Sequence, residues 1–370
     1  MMFRPFFVAS LISLTSLVAI LLISAPAAAE DSFTLETDDG QHSLTLQGRF
    51  QLRYVYAMPD GAPDHSSFFL RRLQPDLRGS FYDGLIQTRL MPDLSRTATL
   101  RDGWVSLRLT ENFRLRAGQF TVPFNWERHA PPTRHLFVER STANNAFEAP
   151  TGRDIGVMFH GVLGERFNLG VGVFSGQGIN QPVSLSTGHL VSGRGVAAIT
   201  GDLLLDETPL TVSEDLHINL AIGAYYAHRN SARQWYLWDE SFPEAANTTA
   251  ATTDLLVHLH RFTLHMALFV ADVEPDDPDP EWSTYQGAGF TAHLAALLLP
   301  ERLLIAARYS LAQPDLSRTE ELRSEGVLGL TFLHRLHDSK LHLEALRQTH
   351  ELPDGTAFSD QIRLQYQFLF

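Results

Sequence analysis

The sequence predicts an all-β protein, a transmembrane antiparallel β-barrel of about 16 strands with an inward-folded third loop. Residues 44–54 alternate apolar or small with polar side chains for about 11 residues, the length that a tilted strand needs to cross a bilayer. Residues 361–370 repeat this alternation and end on Phe370. A free aromatic edge strand would aggregate in water, so we expect it to pair with the first strand and close a barrel. No period of 3.6 residues persists, which makes a βαβ fold a poor match.

The first 29 residues have the features of an export signal, and residues 30–370 are predicted to form the barrel. Arg4 precedes an apolar stretch over residues 8–23, and small residues follow at Ala25-Pro26-Ala27-Ala28-Ala29. An uncleaved anchor is the alternative, but the alanine-rich end and the polar sequence after it favour cleavage. We expect export to the outer membrane of a Gram-negative bacterium.

Alternating segments recur between the two ends, and their number is even, as bacterial single-chain barrels require. They cover 73–81, 85–91, 100–109, 113–117, 155–161, 167–174, 193–201, 216–228, 253–260, 262–271, 285–294, 303–310, 326–333 and 341–348. Short connections such as 164–166 are expected on the periplasmic side. Long connections such as 176–191 and 230–251 are expected outside.

One long connection, residues 121–153, is predicted to be the constriction loop. Pro123 and the Pro131-Pro132 pair keep it out of regular sheet. A loop of this length in a compact protein is usually functional. It carries several arginines together with aromatic residues, which favours a loop that narrows a pore.

The composition shapes this interpretation of the charges. The chain has 29 basic and 42 acidic residues, a formal net charge of −13, which argues against a nucleic-acid-binding protein. Local placement of charge matters more than the sum in a pore. Cysteine is absent, so no disulfide framework supports this exported chain. Lys340 is the one lysine, so almost all positive charge is arginine.

Arginines in the alternating strands are expected to face the lumen, because a lipid-facing arginine near the midplane would cost roughly 2–4 kcal/mol. Guanidinium groups stay charged and suit phosphate or carboxylate. The predicted anion-contacting residues are Arg49, Arg53, Arg72, Arg114, Arg116, Arg128, Arg134 and Arg140. Glu127, Arg153 and Asp154 are predicted to anchor the loop. For any one arginine the alternative is an ion pair, with Asp76 or Asp102 for example, that only holds the loop to the wall.

Several motifs resemble the phosphate-selective porin O and porin P family. They are Leu70-Arg71-Arg72, Gly118–Phe124 (GQFTVPF) followed by Glu127, Phe137–Ser141 (FVERS), Asn145-Ala146-Phe147, Gly152–Val157 (GRDIGV) and Phe174-Ser175-Gly176. The resemblance implies a homotrimeric outer-membrane barrel of sixteen strands, surrounded by outer-membrane lipids, that passes small inorganic or organic anions. It implies no cofactor and no nucleic-acid partner. Phosphate-selective members use a lysine cluster, and with Lys340 alone this chain departs from that pattern.

Two other functional classes stay open at this stage, a barrel lipase or protease and a structural β-protein. There is no HExxH, GxSxG or P-loop motif. His258, His260 and His265 could converge across one hairpin. They are interpreted as wall histidines in a wet lumen, so no metal site is predicted. The aromatic residues Tyr54, Phe81, Phe174, Tyr225 and Tyr226 are interpreted as interfacial girdles.

Overall fold

The computed structural model describes residues 33–149, 152–181, 188–207, 210, 212–230, 246–275, 284–318, 321–353 and 355–370. The predicted signal peptide, residues 1–29, lies outside the described residues, as do parts of the expected external loops. The strands are β1 Phe33–Glu36, β2 Ser43–Pro59, β3 His65–Phe81, β4 Ile86–Asp93, β5 Thr99–Arg108, β6 Phe113–Thr121, β7 Arg153–Leu163, β8 Phe167–Phe174, β9 Leu190–Thr200, β10 Ser213–Asn230, β11 Ala246–His260, β12 Phe262–Pro275, β13 Tyr285–Leu299, β14 Leu303–Gln313, β15 Arg323–Arg335, β16 Ser339–Leu352 and β17 Gly355–Leu369.

Strands β2 to β17 close into a barrel of sixteen antiparallel strands, which confirms the predicted fold class. Each strand pairs with its neighbour in sequence, and β17 returns to β2 with Phe368 opposite Phe50 and Tyr366 opposite Leu52. The short β1 pairs with β2 beyond the point where β17 ends, with Phe33 opposite Leu46. Closure pairs the aromatic C-terminal strand that would otherwise be a free edge.

The two faces of the sheet carry the expected alternation. On β2, Arg49, Gln51 and Arg53 are buried on the inner face. On β12, Leu268 and Val270 are 54% and 56% exposed on the outer face. An outer surface of exposed apolar side chains around a polar interior is the pattern of a barrel in lipid.

The prediction of an interfacial girdle is wrong for two of its aromatic residues. Phe174 and Tyr225 are buried on the inner face. Their rings pack at 5.5 Å and 4.8 Å between centroids against Phe120 and Phe124 respectively. Phe174 is the last residue of β8 and Tyr225 lies within β10, and alternation alone does not separate an inner aromatic from an interfacial one.

The connection between β6 and β7 contains short helical turns. They are α1 (Trp126–His129), a 3-10 turn (Pro132–Arg134) and α2 (Thr142–Phe147). Across the described part of the chain, no helix has the length and apolar character needed to span a membrane.

Candidate functional site: an arginine-lined passage

The β6–β7 loop, residues 122–152, is given its shape by capped helical turns. The Asn125 side chain accepts a hydrogen bond from the Arg128 backbone N–H and begins α1. The Ser141 hydroxyl accepts one from the Asn144 N–H, at 3.0 Å, and begins α2. Such side-chain caps satisfy backbone donors that the first turn of a helix leaves free. The loop is therefore a folded segment of the protein.

This loop is hydrogen-bonded to strands on opposite sides of the barrel. The Ser192 hydroxyl of β9 donates to the Pro123 carbonyl, and the Gln367 amide of β17 donates to the Thr133 carbonyl at 3.1 Å. Further bonds from or to the loop involve Arg53 of β2, Asp254 of β11, Ser310 of β14, Glu325 of β15 and Glu344 of β16. Because β9 and β17 are eight strands apart in a ring of sixteen, a segment that contacts both crosses the lumen. We infer that the loop lies inside the barrel.

Aromatic side chains pack the loop against small residues of the wall. Phe147 is buried against β13, where a Cβ added to Gly289 would stand 2.6 Å from its ring. Phe147 also stacks on Phe269 of β12, with ring centroids 6.0 Å apart. Because glycine has no side chain, the wall at Gly289 has room for the Phe147 ring. A side chain on residue 289 would displace this ring.

A second segment, the β9–β10 loop (residues 201–212), contacts the β6–β7 loop. It lies at the end of the barrel where short turns such as residues 164–166 connect the strands. Leu210 clusters with Leu136 and Phe137. The Leu136 N–H donates to the Glu207 carboxylate at 2.9 Å, and Arg134 forms an ion pair with Asp206. This contact was not predicted from the sequence, because the connection between β9 and β10 has polar residues near its ends and carries no strong motif. The two loops together occupy the side of the lumen next to β9–β15.

Open space lies between the β6–β7 loop and the strands β2–β4. A cavity of about 590 Å³ separates these strands from the β6–β7 loop. Six arginines and three aspartates line it, a formal excess of three positive charges: Arg49, Arg78, Arg89, Arg128, Arg134 and Arg153 against Asp76, Asp206 and Asp338. We call this space the arginine cavity. His129, which is exposed, also lines it.

Arg49 is held by a hydrogen bond to a sulfur atom. One of its guanidinium nitrogens donates to the Met91 sulfur at 3.0 Å, and the other terminal nitrogen is buried without a hydrogen-bond partner. It lies within electrostatic range of Arg89 and Arg153. A buried donor without a partner in a positive region is suited to receive an anion or water.

The structure places the other predicted anion contacts in different positions. Arg116 lies 4.1 Å above the Trp104 ring, Arg128 pairs with Glu148 at 3.2 Å, and Arg140 donates to the Glu127 carbonyl at 2.9 Å. Arg72 donates to Gln51 at 2.7 Å and Arg114 to the Gly84 carbonyl at 2.6 Å, near the rim of short turns.

Arg53 was predicted to contact anions, but its guanidinium is hydrogen-bonded to protein groups instead. Its guanidinium donates to Glu139, to the Val138 carbonyl and to Gln365. All three partners are protein groups, and two belong to the β6–β7 loop. We infer that Arg53 anchors the loop, the alternative that the sequence analysis kept open for each arginine.

Two arginines of this region were missed because each is the extra residue of a β-bulge. Between β2 and β3, Gln51 pairs with Arg72 and Leu52 with Leu70, which leaves Arg71 unpaired. Between β4 and β5, Arg101 is left out in the same way. Strict alternation sends both outward, whereas a bulge re-aims the side chain. Arg71 binds Glu139, and Arg101 lies within electrostatic range of Arg140 and Arg153.

The three predicted anchors hold different parts of the molecule. Glu127 accepts from the backbone N–H and the hydroxyl of Ser141, within the loop. Burial raises the pKa of Glu127 to about 7, and the charge of Glu207 adds to this. Arg153 pairs with Asp102 on β5 at 3.3 Å. Asp154 accepts from Ser175 and from the Gly176 N–H, so it fixes the connection after β8 and not the β6–β7 loop.

One arrangement resembles a hydrolase site but has the wrong hydrogen bonding. The Ser213 hydroxyl lies 2.9 Å from Nε2 of His217. The other ring nitrogen, Nδ1, accepts a hydrogen bond from the Asp202 backbone N–H at 2.9 Å. Neutral His217 therefore carries its proton on Nε2 and cannot take one from Ser213. A general base needs the opposite tautomer, held by a carboxylate that is hydrogen-bonded at Nδ1, whereas the Asp202 carboxylate lies 3.8 Å from this nitrogen, beyond hydrogen-bond distance.

Comparison with known proteins agrees with these features. Residues 44–199 match the family described as phosphate-selective porin O and P, which confirms the resemblance over that part of the chain. No curated protein matches the sequence.

Solved barrels from several bacteria are similar in structure. An anion-selective porin from Comamonas acidovorans superposes with a TM-score of 0.64 at 12% identity, covering 89% of this chain and 100% of that one. OmpT folded in vitro, an outer membrane protein of Vibrio cholerae, gives 0.63 at 10% identity, with 92% and 100% covered. The outer membrane channel DcaP of Acinetobacter baumannii gives 0.58 at 11% identity, with 91% and 99% covered. At such identities the likeness shows a shared fold.

Proposed function

We propose, from the match of residues 44–199 to the phosphate-selective porin O and P family and from the arginine cavity, that this protein is an outer-membrane porin that prefers anions. The observation that carries the proposal is the excess of arginine over aspartate around the cavity between β2–β4 and the β6–β7 loop. Charged side chains around a pore select ions by sign. The anion-selective porin of Comamonas acidovorans, which has the same fold, is consistent with this preference.

The solutes are small inorganic or organic anions. Arginine binds both phosphate and carboxylate in two-point geometry, so the cavity suits either class. Lys340 is buried in β16 beside His337 of the neighbouring turn, at 3.5 Å, and the sequence contains no other lysine. A lysine-based phosphate filter is therefore not available, and we propose a general anion channel with residues 121–153 as its constriction.

The assembly and export of the protein follow the same proposal. A trimer form is described for OmpT of Vibrio cholerae. We propose a homotrimer in the outer membrane, produced after removal of residues 1–29. Native mass spectrometry of protein extracted from membranes would give three chains, and N-terminal sequencing would start near Glu30. A monomer, or an intact N-terminus, would contradict these two parts.

The test of the function is the reversal potential in a planar bilayer that separates two KCl concentrations. Wild-type protein is expected to give stepwise conductance. Its reversal potential should have the sign that results when chloride is more permeant than potassium. Arg49→Gln removes one charge from the cavity with little loss of protein contacts. One charge about 7 Å from an ion is worth roughly 0.6 kcal/mol in water and acts with opposite sign on the anion and the cation, so the anion-to-cation permeability ratio is expected to fall about sevenfold.

Arg166→Gln is the matched control, because Arg166 is an exposed arginine in the turn between β7 and β8. It should keep the wild-type ratio. Cation preference of the wild type, or equal ratios for the two variants, would overturn the assignment of the arginine cavity. Adding phosphate tests the solute, since a channel without a phosphate filter should show no block of chloride current at submillimolar phosphate.

A further inference from the structure

Three buried side chains from separate elements converge beside the inner loops. They are Glu207 of the β9–β10 loop, His265 of β12 and His293 of β13. The two histidines are opposite each other in the β12–β13 register, and their rings are 5.0 Å apart and nearly perpendicular. One ligand atom from each of the three residues lies within 4.8 Å of the other two.

Each of the three residues has one buried polar atom without a hydrogen-bond partner. These atoms are Oε1 of Glu207, Nδ1 of His265 and Nδ1 of His293. Buried polar atoms are nearly always paired, so one unpaired atom on each of three neighbouring residues requires an explanation. An ion that accepts a lone pair from each of them would satisfy all three together.

The remaining atoms of these residues are held by partners that suit metal binding. Nε2 of His265 lies 3.3 Å from a carboxylate oxygen of Asp254, so Nε2 carries the proton and Nδ1 keeps its lone pair. Nε2 of His293 lies 3.0 Å from the Thr291 hydroxyl and 3.5 Å from Glu127. A histidine that ligates a metal usually donates its second N–H to a carboxylate, a carbonyl or water.

We propose that Glu207, His265 and His293 form a site for one divalent transition-metal ion, with Zn²⁺ as the best match. Two imidazoles and a carboxylate suit zinc, whereas Ca²⁺ and Mg²⁺ prefer oxygen ligands. Ligand atoms about 2.1 Å from a tetrahedral ion lie about 3.4 Å apart, so the three side chains need to close by roughly 1 Å. Water completes the fourth position.

The site ties both inner loops to the wall. Glu207 accepts from the Leu136 N–H, and Glu127 beside His293 accepts from Ser141, so both carboxylates hold the β6–β7 loop. A bound ion therefore cross-links β12, β13 and the β9–β10 loop at the place where the β6–β7 loop is attached. This inference does not rest on the proposed ion preference, because metal binding is measured without any current.

The experiment uses the folded full-length barrel in detergent, without a histidine tag, stripped with EDTA and dialysed. Titration with ZnCl₂ is followed by elemental analysis, and titration with CoCl₂ by visible absorption. The wild type is expected to bind one ion per chain, with the intense visible absorption of tetrahedral Co²⁺. Glu207→Gln and His293→Gln should lose this spectrum. Asp254→Asn, which weakens the support of His265 and keeps an oxygen for the Trp126 N–H, should weaken binding about 10- to 100-fold.

His342→Gln is the matched control. His342 is a buried histidine of β16 that pairs with Thr331, away from the three ligands, so this variant should bind as the wild type does. Heat-dependent mobility on an SDS gel shows for each variant that the barrel is folded. Wild-type protein that binds no ion, or equal binding in all folded variants, would overturn the site. Magnesium that displaces zinc would do the same.

Discussion

Gly223 of β10 lies directly against the backbone of Phe124 in the β6–β7 loop. A Cβ added to Gly223 would stand 2.0 Å from the Phe124 carbonyl oxygen, and this oxygen belongs to backbone that cannot rotate away. The close approach of these two residues sets how near the loop comes to the wall. Glycine serves such an approach because it has no side chain.

Gly223→Ala is therefore expected to displace the first part of the β6–β7 loop and to make the open-channel current noisier. Gly195→Ala is the matched control, since an added Cβ on Gly195 of β9 meets nothing within 4 Å. Single-channel recordings of both variants decide the matter. If Gly223→Ala gives the quiet current of Gly195→Ala, the loop is not held by this contact.

Asp76 is a negatively charged residue of the arginine cavity, so its neutralisation should change the ion selectivity in the opposite direction to the neutralisation of an arginine. It lines the arginine cavity and pairs with Arg89 at 2.7 Å and with Arg78 at 2.9 Å. Asp76→Asn raises the formal excess in the cavity from three to four positive charges. We expect the anion-to-cation permeability ratio to rise about sevenfold, as one charge at about 7 Å that acts with opposite sign on the two ions implies. Reversal potentials measure this ratio.

Asp83→Asn is the control, because Asp83 is an exposed residue of the turn between β3 and β4. Its backbone has a positive φ of 55°, which asparagine tolerates. A fall in the ratio for Asp76→Asn, or the same rise in the control, would show that the cavity does not set the selectivity.

The attachment of the β6–β7 loop is expected to depend on pH through the charge of Glu139. Burial alone would raise the pKa of this carboxyl, but the hydrogen bond from Arg71 and the charges of Arg53, Arg71 and Arg72 outweigh burial and hold the pKa well below 4.5. A depressed carboxyl pKa means that its stabilisation is complete above the unfolded value, near 4.5, and is lost as the pH falls through the folded value. We expect loop fluctuations in the wild type to increase only below about pH 4.5.

Glu139→Gln should show those fluctuations already at pH 7, with no further increase of this origin in acid. Current noise recorded from pH 7 to pH 3 measures both effects. Glu111→Gln, an exposed carboxyl in the turn between β5 and β6, should follow the wild type. Equal noise in Glu139→Gln and the wild type at pH 7 would contradict the anchoring role.

The strand order was predictable because alternation over about 11 residues is a strong signal in each strand of a lipid-facing barrel. The segment expected at 44–54 lies within β2, the one expected at 361–370 runs one residue past the end of β17 at Leu369, and these two strands pair as predicted. The short β1 was not foreseen, because four residues are too few to show a period.

The candidate site was only partly predictable, for physical reasons that particular residues illustrate. The inward direction of the Arg49 side chain follows from the alternation of β2, because this strand is regular around it. The inward directions of Arg71 and Arg101 could not be predicted, because bulges reverse them and no sequence signal marks these bulges. His265 was grouped with His258 and His260, whereas the sheet places it opposite His293, nearly thirty residues later. Pairing between β12 and β13 depends on register, which alternation does not specify.

Ser213→Ala tests the alternative of a barrel hydrolase. The hydrogen bond from the Asp202 N–H to His217 fixes a tautomer in which the imidazole donates to Ser213. We therefore expect no hydrolysis of phospholipid or peptide substrates by the wild type, and the same background in Ser213→Ala. Activity that disappears in this variant would instead establish an enzyme, and Ser175→Ala controls for general effects of losing a hydroxyl.

Phe147 is expected to supply much of the energy that docks the second half of the β6–β7 loop. Its ring is buried between Gly289 and Phe269 on the inner wall. Replacing a buried phenylalanine with alanine costs about 3–5 kcal/mol, which lowers the ratio of docked to undocked loop more than about 100-fold. Phe147→Ala should therefore give larger and more variable conductance while the barrel itself stays closed and folded. Phe159→Ala is the matched control, since Phe159 is an exposed phenylalanine on the outer face of β7. Single-channel conductance together with heat-dependent gel mobility distinguishes a released loop from an unfolded barrel, and an unchanged conductance in Phe147→Ala would show that this ring does not hold the loop.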